Sequence, residues 1–162
     1  MATSRLLWAY DRASVYLAAP VGAIAHRYDG NTWADEATGL STIKALGGSS
    51  ADLVLAVGGD SIARRSSGVR GIEHTFSAGQ GIEDFVDVYG VSDSEAYALH
   101  AQSIFIPPAF NAVNTRVFDW NGSQWTTAWA AHPTFSRLSR GHLGRQWQRI
   151  RGCDPGSALP SQ

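Results

Sequence analysis

Apolar and polar residues alternate over short stretches throughout the first 130 positions, at a period of two rather than 3.6. Val15, Leu17 and Ala19 alternate with Tyr16, Ala18 and Pro20, as in a half-buried strand. On this pattern the first forty residues hold four short strands, near Arg5–Ala9, Ser14–Ala19, Gly22–Tyr28 and Thr32–Ala37. Turn chemistry falls between them. Asp29-Gly30 and Asn121-Gly122 are hairpin signals that expect two-residue turns with positive φ. Gly47-Gly48 and Gly58-Gly59 mark further turns.

The pattern recurs. WAYDRASVYLA (Trp8 to Ala18) aligns with LGGSSADLVLA (Leu46 to Ala56) at an offset of 38, and with YGVSDSEAYAL (Tyr89 to Leu99) after a further 43. AIAHRYDG (Ala23 to Gly30) lies over SIARRSSG (Ser61 to Gly68), again at 38, sharing Ile24/Ile62, Ala25/Ala63, Arg27/Arg65 and Gly30/Gly68. YDGNTW returns as WNGSQW, so Tyr28 and Trp120 lie 92 positions apart. The third unit therefore carries about eleven extra residues, around SIFIPPAFNAVNTR. A period near 40 with about four strands per unit is the range of β-propeller blades. The competing reading is one irregular β-sandwich whose hairpins look alike because hairpins share turn residues.

GGSSADLVLAVGG, GAIAHRYDGNTW and VFDWNGSQW resemble bacterial propeller-like repeats of the form WGSS-x-x-DVWAVG, ILHYDG-x-x-W, over roughly Leu6 to Trp129. The resemblance implies blade architecture and brings no common catalytic set. Within it, Gly30, Trp33, Gly68, Gly122 and Trp125 hold structural positions, although no Trp follows Gly68 in the second unit. The expected fold is all-β: three propeller-like repeats of about four antiparallel strands (approximately 5–38, 39–77 and 82–130) within a domain of residues 1–135. Three blades make an open arc whose end sheets expose apolar faces and invite association. Three resolutions are open: dimerisation into a six-bladed ring, a fragment of a longer arrangement, or capping by the C-terminal segment.

Composition supports this picture. The chain has 162 residues, 17% charged, with 17 Gly and 6 Trp, which favours a turn-rich β protein over a helical bundle. A net charge of −1 argues against a nucleic-acid surface over the whole domain. Cys153 is the single cysteine and has no intramolecular disulfide partner. No run of 18 apolar residues suggests a membrane span. Asp11 and Arg12 interrupt the first apolar run, so it reads as mature protein and, as encoded, cytoplasmic unless the chain is a fragment. Beyond Trp129 the repeat stops. Arg137, Arg140, Arg145, Arg149 and Arg151 make residues 136–152 basic, and Leu143, Trp147 and Ile150 fall on one face of a short helix. That helix is expected to cap the acidic domain, or to bind an acidic partner. Residues 153–162 read as a disordered end.

Candidate chemistry is sparse. His26, His74, His100, His132 and His142 show no metal-ligand spacing, and no metal or other cofactor is expected. Glu83, Asp84, Asp87, Asp93 and Glu95 read as a solvated acidic edge. The insertion is the strongest functional lead. Pro107-Pro108 cannot continue a central strand, so the segment is expected to bulge outward as a recognition loop. In it Phe105 and Phe110 serve as anchors, and Asn111, Asn114 and Arg116 as polar contacts; the alternative is a plug over the open arc. The function expected is a non-enzymatic interaction module whose first-ranked partner is its own copy, as a homodimer or higher assembly, with another protein or a glycan as the further candidates. A glycan or small-ligand binder using Trp and Tyr on blade edges comes second. A hydrolase with a site across blades comes last.

Overall fold

The computed structural model describes residues 6–19, 21–66, 69–77, 81–106 and 110–131. Among these every regular element is a strand. The first sheet holds β1 (Leu6–Asp11), β2 (Ser14–Ala18), β3 (Ile24–Tyr28) and β4 (Trp33–Ala37). The second holds β5 (Ala45–Gly48), β6 (Val54–Gly58), β7 (Ser61–Ser66) and β8 (Val69–Thr75). The third holds β9 (Ile82–Ser92), β10 (Glu95–Ile106), β11 (Phe110–Trp120) and β12 (Trp125–Ala131). Each sheet is an open antiparallel meander in which sequence neighbours pair. The four strands expected in the first forty residues form within a residue or two of their places.

The twice-written hexapeptide is one structure built twice. Asp29 Oδ1 accepts the Asn31 and Thr32 N–H groups, and Asn121 Oδ1 accepts those of Ser123 and Gln124. The side-chain oxygen thus replaces backbone partners that the turn leaves unpaired. Gly30 and Gly122 sit at φ +97° and +91°, a region costly for any residue with a Cβ. Tyr28 pairs with Trp33, and Trp120 with Trp125, so each turn has four residues rather than the two expected from Asp-Gly and Asn-Gly. The two aromatic pairs stack with ring centroids 5.2 and 5.8 Å apart.

The second sheet lies between the other two. All five residues of β6 are buried. Ala56 and Ala63 pack with Ala18, Ala25, Leu40 and Ile43 against the first sheet. Leu55, Val57 and Ile62 pack with Phe85, Ala98, Phe118 and Trp125 against the third. Adjacent arginines follow the same division. Arg65, nearly fully buried, reaches Glu36 of the first sheet at 3.1 Å, and Arg64 lays its guanidinium 4.8 Å over the Trp120 ring of the third. A strand buried on both faces loses its alternation, which is why LVLAVG reads as a continuous apolar run.

The ladders give two offsets for the middle sheet: Ala18–Ala25 of β2–β3 lies over Ala56–Ala63 of β6–β7 at 38, as in the sequence alignment, whereas the β1–β2 and β5–β6 hairpins differ from it by one residue. The pair Leu6–Ala18 of β1–β2 corresponds to Ala45–Val57 of β5–β6, an offset of 39. Gly48–Val54 corresponds to Gly90–Ala96 of β9–β10, a further 42. The alignment offsets of 38 and 43 have the same total, and differ by one step at the β5–β6 hairpin. A one-step slip exchanges the two faces of a strand. On the register of the β1–β2, β5–β6 and β9–β10 hairpins Leu17, Ala56 and Ala98 are equivalent. Ala56 faces the first sheet and Ala98 faces the second. On that register the second and third sheets therefore turn the same class of position toward the sheet before them, and Leu17 holds the matching place on the outer face of the first.

The insertion is not a loop. Ile104–Ala112, Phe105–Asn111 and Ile106–Phe110 are ladder pairs, so the extra residues lengthen β10 and β11 to 12 and 11 residues. Pro107 and Pro108 fall between the last pair, outside the described residues, as do Gly68, the proposed helix at 136–152, Cys153 and the tail. No helix among the described residues is long and apolar enough to cross a membrane.

Candidate functional site

Two surfaces and one buried cluster carry the side chains available for function. On the first sheet, the face turned away from the second presents the cross-strand row Leu7, Leu17, His26, Asp35 and, beside it, Ala9, Val15, Tyr28, Trp33. The His26 ring nitrogen meets Asp35 at 2.6 Å, and every other member of the two rows is apolar or aromatic. On the third sheet the outward rows are Tyr89, Tyr97, Asp119, Thr126 and Asp87, Leu99, Val117, Trp129. Val91 and Val113 stand exposed on the same sheet. The first-sheet face is thus largely apolar, and the third-sheet face mixes Tyr, Leu, Val and Trp with Asp87, Asp119 and Thr126; SVYLA and EAYALHA carry apolar residues on both sides of their strands.

The long hairpin brings a polar cluster to the inner face of the third sheet. Gln102, almost wholly buried, accepts hydrogen bonds from Asn114 Nδ2 (2.9 Å) and Arg116 (3.4 Å), and its amide nitrogen donates to Glu83 at 3.5 Å. The Arg116 guanidinium also lies 5.2 Å over the Phe76 ring. Asn114 and Arg116 therefore do not reach outward as recognition contacts. They satisfy an internal amide, since burying an unpaired amide is costly. Phe105, Phe110 and Asn111 lie in paired strand backbone, and their side chains fall outside the description. Trp33 and Trp125, the aromatics offered for a glycan surface, part company: Trp33 is 55% exposed, and Trp125 is 7% exposed with its indole N–H donating to Glu73 at 3.1 Å.

His100, which the sequence does not single out, sits fully buried beside this cluster. Phe85, Phe76 and Phe118 surround its ring at 4.9, 5.1 and 6.1 Å, and Glu83 lies 3.9 Å from Nε2. Burial holds its pKa below the ordinary histidine value, and the Glu83 carboxylate opposes that in part. His74, against Phe118 and Phe85, is lowered for the same reason. Lowered folded-state values mean that the unfolded chain binds these protons more tightly. Stability is therefore full above about pH 6.5 and falls as pH drops below it. Urea denaturation at a series of pH values is expected to show this decline, and His100→Phe is expected to flatten it. Asp29, held low by the Thr32 and Asn31 N–H groups, contributes its own acid loss only near and below the ordinary carboxylate range.

An open hollow of about 390 Å³ lies beside the turn between β6 and β7, lined by Ser41, Gly59, Asp60, Ser77, Gly81 and Glu83. Within the acidic stretch, Asp84 is tied down rather than solvated: it accepts the Gly59 N–H at 2.7 Å and pairs with Lys44 at 3.2 Å. No group of three or more His, Cys, Asp or Glu side chains among the described residues is placed to hold a metal ion. Comparison with known proteins finds no family model, no curated protein and no solved structure that matches this chain.

Proposed function

We propose that the chain is a non-enzymatic, propeller-like interaction module that associates through the outer faces of its two end sheets. One observation carries the reading. Among the described residues the middle sheet has apolar side chains on both faces and both are covered, whereas the end sheets carry apolar side chains on both faces and only one is covered. Uncovered patches of this kind mark interaction surfaces, because burying them against a partner removes apolar area from water. The propeller-like arrangement is supported by the uniform sense of the stack, in which the second and third sheets offer equivalent positions to the sheet before them. Two sheets packed as a sandwich would need no such repeat of sense.

Size-exclusion chromatography with light scattering tests the association. A particle heavier than the 17.4 kDa of one chain is expected, dissociating on dilution. A particle that stays at the mass of one chain over the accessible concentration range removes the self-association reading.

A further inference from the structure

We infer that the two end faces are partners for each other across copies: the outer face of the third sheet seats on the outer face of the first sheet of a second chain, and two chains close a ring of six sheets. This rests on the association proposed above and names the surfaces that carry it.

The argument is positional. Tyr28 and Trp33 occupy in the first sheet the place that Trp120 and Trp125 occupy in the third, with the same turn and the same side-chain cap. In the third sheet that aromatic pair is covered by the Leu55, Val57 and Ile62 face of the second, with Arg64 over Trp120 and Glu73 accepting from Trp125. In the first sheet the matching pair looks away from the second sheet, and Trp33 stays exposed. What is missing is a face of the Leu55–Val57 class. The third sheet owns one. Tyr97 and Leu99 lie 42 positions beyond Leu55 and Val57, on the ladder register, and they point away from the second sheet. On the register of the β1–β2, β5–β6 and β9–β10 hairpins, both contacts between sheets inside the chain join unlike faces, one forward and one backward. Pairing two first sheets, or two third sheets, has no counterpart among them.

Among the described residues the two uncovered faces lie at opposite ends of a three-sheet stack, and a second copy supplies the match. The contact is heterologous, and such contacts form rings where the rotation closes. Propellers hold four to eight sheets, and six is the one multiple of three in that range, hence two chains.

A complementation experiment tests this. Leu7→Glu damages the first-sheet face at a position 69% exposed, and Tyr89→Glu damages the third-sheet face at one 68% exposed. Exposure makes folding of both variants expected, with near-ultraviolet circular dichroism and thermal melts as the check. Trp33→Arg and Val113→Glu form a second pair should either variant misfold. Each variant alone is expected to raise the dimer Kd about 30-fold or more, the size of a central interface contact. Mixed in equal amounts, they retain one sound contact and are expected to form a two-chain particle that neither forms alone. Association of either variant alone at wild-type strength would overturn the head-to-tail pairing while leaving self-association standing. A mixture that stays monomeric overturns the pairing too, and open polymers from the wild type overturn the two-chain ring. A monomeric wild type overturns the association itself.

Discussion

Phe85→Ala is expected to lower the free energy of unfolding by about 3–5 kcal/mol, a large share of the roughly 5–15 kcal/mol that a domain of this size holds. Phe85 is fully buried, and its ring touches His100 at 4.9 Å, Phe118 at 5.3 Å and His74 at 6.4 Å. Truncation removes the transfer energy of the ring and leaves a cavity that stiff neighbours cannot fill. The aromatic contacts add about 0.5–1.5 kcal/mol each beyond area. The backbone adds a second reason. The Phe85 N–H donates to Gly59 O at 2.7 Å, which holds the edge of β9 against the turn after β6, so a loosened β9 also frees that turn. Val86, the next residue and partly exposed at a β-bulge, serves as the contrast. Val86→Ala is expected to cost less than about 1 kcal/mol. Equilibrium urea unfolding followed by tryptophan fluorescence measures both. Equal losses for the two variants would show that the cluster is not where the second and third sheets are joined.

The second large effect concerns the crossing of β5 and β9. A Cβ at Gly90 would lie 2.7 Å from the Gly48 carbonyl carbon, 2.9 Å from its Cα and 3.0 Å from the Ser49 nitrogen, all backbone. From the other side, a Cβ at Gly47 would meet the Val88 carbonyl oxygen at 2.5 Å. Backbone atoms cannot rotate aside as a side chain does, so the two strands must separate. Gly90→Val is expected to destabilise by about 3 kcal/mol or more, at or beyond the usual range for overpacking. Gly71→Val is the control, since nothing lies within 4 Å of a Cβ there. That variant is expected to be neutral or mildly stabilising, because a strand glycine gives up more backbone freedom on folding than valine does. Thermal melts of the two variants decide the matter. Similar midpoints would mean that the strands do not approach so closely.

Much of the fold is legible in local chemistry. YDGNTW and WNGSQW announce the same turn because a short side-chain oxygen, a glycine at positive φ and flanking aromatics are each required by its geometry. The strands near Ser14–Ala19 and Gly22–Tyr28 follow from period-two alternation and hold. Register is not legible in the same way. Ala18/Ala56 and Ala25/Ala63 match at an offset of 38 as chemistry, yet small residues suit either face of a sheet, so the match says nothing about which way each points. The β1–β2 and β5–β6 ladders superpose at 39 and the β2–β3 and β6–β7 ladders at 38, and it is the packing of Ala18 against Ala56 that shows the two to point toward each other. The insertion misleads for a related reason. Two prolines cannot donate within a ladder, but the described residues on either side of them, Ile106 and Phe110, are themselves a ladder pair. Asn114 and Arg116 look like recognition residues because exposed polar groups on a loop commonly are. Placed on a strand opposite Gln102, they become internal partners. His100 carries no sequence signal at all, since only the surrounding Phe76, Phe85 and Phe118 reveal its burial. The outer apolar faces were the readable part of the site: both alternate sets in SVYLA and EAYALHA are largely apolar, which a strand with one wet side does not need.

Among the described residues every backbone ladder joins strands that are also neighbours along the chain. Synthesis from the amino end therefore completes one meander before the next begins, and no early strand waits with open hydrogen bonds for a late one. The same economy makes the meander a transferable unit: duplication or loss of a whole one changes how far the stack extends while cutting no ladder, a route by which such chains grow and shrink in length.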